Sequence, residues 1–520
     1  MSLTVQQDFV CPSIMHLFSP DPFRSFSTPT DKAFIPTQPA SESISIRGRF
    51  CYNCRRSMEN TTEKITTRAG NRDGLLKTGR EKTANLEPLH RFHSYCARFP
   101  SELAEAAIEE YSRPGDSILD PFCGSGTSMV AGLARGRAVV GSDIDILAGM
   151  LSDVKCAPRA KTDYKRWRSN FGEKLRRMFC EIGSDWTGSG AKRPGDNLSV
   201  GTLILRLPEF PELNYWFPPQ LAAGLAAIAA AAHECRDPHY EKVALVSLSA
   251  SIIAKWPNTL SYAMDIDHTR PHRRIQQFRL ARVLETYLAR LDRTIGCLGS
   301  LHDAYTAAGA TKNLTTRARI ICPHDARNVF PEIIQDSQTL VVTSPPYFNA
   351  VDYPRAHRMS VCWMNGHAPA DLASRDGYIG LHRAKTFDPQ SWLSSRAKIR
   401  KLIPPEVTSD VSLERRLAGF FADLEAALQQ VHAVLKPSGH AVFIIGDNII
   451  KGQRVASHAA LVEVARAIGF SKVDASPREI RSLRRRYPVG PFGFDGPMTH
   501  EFVVVLQKPA RRRIARRSDV

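Results

Sequence analysis

No stretch of this 520-residue sequence stays apolar for long. The longest helical run, Leu221 to Ala232 (LAAGLAAIAAAA), falls short of the roughly 20 residues a membrane span requires. The N-terminus, MSLTVQQDFVCPSIMHLF, lacks the basic stretch followed by an apolar block that marks a secretory leader. Cysteine is sparse: eleven residues, an odd number without regular spacing. That pattern fits reduced thiols in a cytoplasmic protein rather than a disulfide scaffold. Cys51 and Cys54 have metal-like spacing, but no second pair lies near enough to complete four zinc ligands, so no metal is expected. No internal repeat occurs. Acidic residues are outnumbered, 52 Asp and Glu against 70 Lys and Arg, giving a net charge of +18 and a pI near 9.5. Such an excess points to an anionic partner, with nucleic acid the leading candidate.

The composition is otherwise ordinary, with 43% hydrophobic and 23% charged residues, which excludes a wholly disordered or fibrous chain. Residues 1–85 are rich in Ser, Thr, Pro, Arg and Asn without periodicity and read as a disordered basic and polar segment. Over 86–160, SELAEAAIEEY has helical spacing, SILD is a short buried strand, PFCGSGTS a glycine-rich turn, MVAGLARG a helix and AVVGSDID a second strand. A strand–glycine turn–helix–strand unit opens a doubly wound α/β sheet. Residues 161–312 turn mainly helical, as in LAAGLAAIAAAAHE and FRLARVLETYLARLDRTI, with aromatic and basic residues interleaved. The α/β pattern returns over 313–351 with the strand QTLVVT. A basic, irregular insertion covers 352–412. The sheet is completed over 413–508 by FFADLEAALQQVHAVL (helix), HAVFIIGDN (strand), ASHAALVEVARAIGF (helix) and HEFVVVLQK (strand). Residues 509–520 form a basic tail. One sheet is thus assembled from both ends of the chain around a large helical insertion.

Two strand ends carry chemistry-bearing residues. The first is Asp120-Pro121-Phe122-Cys123-Gly124-Ser125-Gly126-Thr127. Glycines after a strand let the backbone approach a ligand closely. The spacing is Gly-x-Gly, without the third glycine of a dinucleotide fingerprint and without the lysine of a Walker loop, so a dehydrogenase or an ATPase is disfavoured. Asp143 ends the second strand, where a carboxylate can bind a ribose diol, and the pair suggests an adenosyl ligand. Asp145 is the alternative to Asp143. The second strand end is Thr343-Ser344-Pro345-Pro346-Tyr347. Consecutive prolines remove two amide donors and stiffen a turn that holds a hydroxyl, a carbonyl and an aromatic ring at the sheet edge.

Together these segments resemble the S-adenosyl-L-methionine-dependent, site-specific DNA amino-methyltransferases. DPFCGSGT is similar to that family's cofactor motif. TSPPY is similar to its catalytic motif, in the serine form usual for cytosine-N4 enzymes. His93-Ser94-Tyr95-Cys96-Ala97-Arg98-Phe99-Pro100 resembles the cofactor-side segment that precedes the cofactor motif. The resemblance covers most of 89–508, with the cofactor motif ahead of the catalytic one. It implies a class I, Rossmann-like methyltransferase sheet, S-adenosyl-L-methionine as cofactor, and transfer to the exocyclic amine of a base flipped out of DNA. It also implies direct transfer without a covalent enzyme intermediate. No Pro-Cys dipeptide occurs, which disfavours a cytosine-C5 enzyme with its usual nucleophile.

On this reading the cofactor is held by Tyr95, by the loop Asp120 to Thr127, by Asp143 at the ribose and by Asp325 at the adenine amino group. Asp120 takes the methionine amino group, directly or through water. Ser344 and the Pro345 carbonyl accept from the target amine, Pro346 stiffens the turn, and Tyr347 stacks on the base. Asp447 supports the same sheet edge, and Asp352, Tyr353 and Arg355 follow the catalytic motif closely enough to line the base pocket. Target recognition is assigned to the helical insertion. Basic clusters at His272–Arg274, Arg396–Lys401 and Arg481–Arg486 are candidates for phosphate contacts. A cognate restriction endonuclease is a possible partner by family analogy. The competing readings are an adenine-N6 DNA enzyme, an RNA guanine-N2 enzyme of the same fold, and a catalytically idle nucleic-acid-binding protein.

Overall fold

Seven strands form the central sheet: β1 (Ser117–Asp120), β2 (Ala138–Ser142), β3 (Ala318–Ile321), β4 (Gln338–Thr343), β5 (Leu435–Gly446), β6 (Lys472–Glu479) and β7 (His500–Gln507). Their spatial order is 3-2-1-4-5-7-6. β1 to β5 pair in parallel, and β7 runs antiparallel between β5 and β6. The computed structural model describes residues 86–96, 98–183, 193–254, 259–262, 278–311, 314–348, 352–365, 377–379, 387–479 and 500–511. All of them fall in one unit, 74–520. The segment 1–85 with Cys51 and Cys54, the basic clusters 272–274 and 481–486, and the stretch 255–258 lie outside the described residues.

The sheet is buried on both faces, and its strands read accordingly. Ile118, Leu340, Val342, Val442, Ile444, Val503 and Val505 enter one core. Their alternates Leu119, Val341, Phe443, Ile445, Phe502, Val504 and Leu506 enter the other. The first face is covered by α1 (Ser101–Tyr111), α2 (Thr127–Leu133) and α3 (Ile146–Cys156). The second is covered by α9 (Val411–Val434) and α10 (Ser457–Ile468). Side chains end these helices where the sequence places them. Asp145 caps α3 by accepting from the Leu147 and Ala148 amides, Asp410 caps α9 through Leu413 N–H, and α10 stops at Gly469 in the left-handed region.

The helical insertion comprises α4 (Lys161–Ile182), α5 (Pro219–His233), α6 (Pro238–Ile252) and α7 (Leu280–Ala307). It also contains a β-hairpin, Asn197–Val200 with Leu203–Arg206, that helical periodicity did not announce. The insertion shares one continuous core with α1, α2 and the first face of the sheet. Of the aromatics in NYWFPPQ, Trp216 and Phe217 are buried in that core and Tyr215 is exposed. The segment 352–412 is less irregular than expected: it opens with helix α8 (Tyr353–Asn365) and carries short helices at Pro389–Ser394, Ala397–Arg400 and Pro405–Thr408. Within its basic cluster, Arg396 pairs with Glu425 at 2.5 Å and Lys398 with Glu463 at 3.3 Å, so part of that charge is already compensated.

Candidate functional site

The strand order reverses direction between β1 and β4, and ligands of doubly wound sheets bind outside the carboxyl ends of the strands at such a switch point. The two motifs leave the sheet there, residues 121–126 after β1 and 344–348 after β4. One carboxylate ties them together. Asp120, buried at the end of β1, accepts from Phe122 N–H at 3.1 Å, from the Ser128 hydroxyl, and from the Thr343 hydroxyl at 2.6 Å. Burial pushes its pKa up to about 6 against the pull of those three donors. Its oxygens point inward and lock the catalytic strand to the glycine loop.

Between the two loops lies a cleft of about 990 Å³, counted out to its open mouth. Tyr95, Pro121, Phe122, Cys123, Gly124, Ser125, Thr127, Asp143, Asp325, Ser344, Pro346 and Tyr347 line it, so twelve expected residues converge on one space. Gly126 and Pro345 stand behind the wall. Gly126 has φ +82°, and a Cβ there would sit 2.9 Å from Ser152 Oγ. Gly124, at φ +49°, has Tyr95 Cε1 3.3 Å from where its Cβ would be, so the loop and Tyr95 are in close contact.

Asp143 and Asp145 divide their work. Asp143 accepts from Gly124 N–H at 2.8 Å and from Asp145 N–H at 3.0 Å, and burial together with the neighbouring Asp145 raises its pKa to about 7. Asp145 spends one oxygen on the α3 cap and the other on His357 Nδ1 at 2.5 Å. His357 is buried in α8. Burial alone would lower its pKa, but Asp145 raises it to about 10. Its ring lies 4.9 Å from that of Tyr95 and 6.1 Å from that of Tyr353, which also lines the cleft. Both acids line the cleft; among the described residues Asp143 is bonded only to backbone amides and Asp145 to the α3 amides and His357.

Asp325, also on the cleft wall, is held by Arg327, whose Nη2 approaches it at 2.6 Å. Burial would raise the Asp325 pKa, but the guanidinium lowers it. Arg327 also reaches Asp423 at 2.8 Å and the Gly377 carbonyl at 3.2 Å. It thereby anchors Tyr378 and Ile379, which close that wall beside Ile144 and His324. Sequence reasoning passed over these four residues, and over Arg98 and Phe99 as wall residues. Position 377–379 carries no motif and sits in a stretch read as irregular. On the catalytic side Ser344 Oγ lies 3.5 Å from the Tyr347 hydroxyl, and Phe348 packs on Phe420 behind them. Asp447, at the end of β5, accepts from His458 Nδ1 at 2.7 Å and Arg454 Nε at 2.8 Å. It fixes the start of α10 and the hairpin 448–455.

The cleft suits an adenosyl sulfonium ligand. A half-buried carboxylate with a raised pKa, Asp143, sits on its wall, a second carboxylate, Asp325, lines it too, and Phe122, Ile144, Tyr378 and Ile379 supply apolar surface. Among the described residues no cluster of His, Cys, Asp and Glu is arranged to hold a metal ion. No described helix is long and apolar enough to cross a membrane.

The strand order gives the chain a doubly wound, class I Rossmann-like sheet with its cleft at the switch point. Residues 52–148 match the family described as DNA methylase. The chain is 23% identical over 444 residues to the Type II methyltransferase M.MvaI of Kocuria varians, covering 82% of this chain and 92% of that one. It is 22% identical over 450 residues to the Type II methyltransferase M.BsoBI of Geobacillus stearothermophilus, covering 77% and 81%. Among solved structures, an S-adenosylmethionine-dependent methyltransferase from Methanosarcina mazei aligns over 78% of this chain and 97% of its own, at 10% identity and a TM-score of 0.26. The fold assignment rests on the strand order, not on that alignment. The chain is thus similar to DNA methylases over residues 52–148, and to Type II methyltransferases over most of its length.

Proposed function

We propose that this protein methylates the exocyclic N4 of cytosine at a specific site in DNA. The observation that carries the reading is the convergence of Ser344 and Tyr347 with Asp143 on one cleft at the switch point. The cofactor supplies a methyl group already activated on a positive sulfonium. What remains for the protein is to make a poor nucleophile attack in line. The lone pair of an exocyclic amine is delocalised into the ring. Acceptors aligned with its N–H bonds favour the more tetrahedral nitrogen, whose lone pair is available. The Ser344 hydroxyl and the Pro345 carbonyl are assigned that task. Tyr347 offers its ring to the face of a base swung out of the duplex. The prolines and the Thr343–Asp120 bond fix these groups against the cofactor loop, and such positioning can supply a large part of the rate.

The serine in TSPPY favours cytosine over adenine, since it is the form usual for cytosine-N4 enzymes. The curated relatives are named Type II methyltransferases, and we carry that role here: the modification marks host DNA beside a cognate restriction nuclease. The test is mass spectrometry of nucleosides from DNA incubated with the protein and labelled cofactor. Labelled N4-methylcytosine is expected. Labelled N6-methyladenine would overturn the base assignment while leaving the cleft's role intact, and unlabelled DNA would overturn the substrate assignment.

A further inference from the structure

Lys155 of α3 is fully buried, and among the described residues no carboxylate forms an ion pair with it. Its ammonium donates to the Ser125 carbonyl at 2.6 Å, stands 3.5 Å from His90 Nδ1 and lies 5.2 Å from the centre of the Phe92 ring. The Tyr305 hydroxyl of α7 fixes the same residue's backbone by donating to the Lys155 carbonyl at 3.0 Å. Three residues earlier on the same helix face, Ser152 Oγ donates to the Gly124 carbonyl at 2.9 Å. Two consecutive carbonyls of the glycine loop are thus gripped from behind by one helix. The opposite side of that loop, through Gly124 and Ser125, forms the wall of the cleft.

A lysine without a carboxylate in such a place is costly for folding, and the cost is offset when the group serves the ligand site. We propose that Lys155 and Ser152 form a clamp that shapes the cofactor loop from behind, and that the charge on Lys155 tightens cofactor binding. A charge-assisted hydrogen bond to a carbonyl is roughly twice as strong as a neutral one. The protonated amine therefore holds Ser125 in its binding shape more firmly than the neutral amine does. The inference rests on the cleft being the seat of S-adenosyl-L-methionine.

Burial lowers the Lys155 pKa to about 7, Arg98 adding to the shift. The other groups that face it are accounted for. His90 is kept neutral, its pKa driven well below the ordinary value by burial and by Lys155 itself, and His93 likewise by burial and the cations around it. Glu87 faces it too but is paired with Arg98 at 2.8 Å. Cys156 beside it and Cys297 on α7 both have raised pKa values, so they are thiols at neutral pH. Lys155 is the group among these that changes charge near neutrality.

The experiment compares S-adenosylhomocysteine dissociation constants of the full-length wild type and Lys155→Met by calorimetry from pH 6 to 8.5. The ratio of the two cancels the titration of the ligand and of Asp143. It is expected to be roughly tenfold at pH 6 and to close to about twofold at pH 8.5, as the wild type loses the charge. A ratio that is the same at every pH overturns the proposal, because loss of packing alone would give that. If Lys155→Met does not fold, the Lys155 side-chain resonance of the wild type is titrated with and without S-adenosylhomocysteine. Ligand must raise its titration midpoint, by reciprocity, and an unmoved midpoint overturns the proposal. Asp143→Ala separates the two readings. If it abolishes binding, the cleft is the seat and a flat Lys155→Met ratio counts against the clamp. If it leaves binding unchanged, the seat itself is wrong.

Discussion

Replacing His357 by alanine should destabilise the protein strongly at acidic pH and far less at alkaline pH. His357 and Asp145 form a buried pair at 2.5 Å, and removing one partner leaves the other without its counter-charge. Breaking such a pair costs roughly 3–5 kcal/mol. The titration agrees in scale. The His357 pKa rises to about 10 in the fold, and from an unfolded value near 6.5 that difference corresponds to at most about 5 kcal/mol. Because the folded value is the higher one, the stabilisation is fully present below about pH 6.5 and drains away as pH rises toward 10. The assay is urea denaturation of wild type and His357→Ala at pH 6 and pH 9.5. With slopes of a few kcal/mol per molar for a chain this size, the midpoints should differ by about 1 M or more at pH 6. At pH 9.5 a smaller, pH-independent remainder from the lost ring packing should persist. Equal gaps at the two pH values would refute the claim that the pair is ionic. The consequence reaches the site, because the pair joins the helix carrying Tyr353 to the strand end carrying Asp143.

Three further outcomes are expected. Asp143→Asn should weaken S-adenosylhomocysteine binding and abolish its acid-side pH dependence. In the wild type the carboxylate with a pKa of about 7 must be ionised to accept from the ligand's hydroxyls, so affinity should fall about tenfold per unit below that pH, as calorimetry can read. Ser344→Ala should lower kcat by roughly 10²-fold or more, as loss of one aligned polar group does elsewhere, while the cofactor dissociation constant stays unchanged; equal loss of both would remove Ser344 from its assigned task. Gly126→Ala forces a Cβ into a left-handed position 2.9 Å from Ser152 Oγ, so cofactor affinity should drop in a direct binding measurement without loss of the folded state.

The parts of the architecture that sequence reasoning reached and missed differ by where the strands lie. SILD, AVVGS, QTLVVT, HAVFIIG and HEFVVVLQ are covered on both faces and are apolar enough to be read as strands. The two strands of the central sheet that were missed, Ala318–Ile321 and Lys472–Glu479, are its two edges. Each is only partly covered and carries charged residues, among them Arg319, Lys472, Asp474 and Arg478. Edge strands are charged because an apolar edge would invite pairing with another chain. The property that keeps an edge safe also erases its sequence signal. The packing partner of the insertion was not legible for a related reason. Its amphipathic helices announce that each buries a face but not against what, and here the partner is the sheet's own first core.

The same distinction separates the wall residues from those that hold the wall. DPFCGSGT and TSPPY were legible because loops that meet a ligand need glycine, proline and a few polar groups in fixed spacing. The residues that give those loops their shape follow no such spacing: Thr343 on Asp120, Ser152 and Lys155 on the loop carbonyls, His357 on Asp145, Arg327 on Asp325. They come from a strand end, from α3, from α8 and from a loop, and four of these five contacts are between residues more than twenty positions apart. Asp120 shows why such supports leave no trace in the spacing. A carboxylate at a strand end can face either the ligand or the neighbouring strand, and only the partner Thr343, 223 residues away, decides which. A search for function in related chains should therefore weigh positions 152, 155, 327, 343 and 357 alongside the two motifs. A chain that keeps the motifs but replaces these supports would be expected to retain the fold of the sheet and to lose cofactor affinity first.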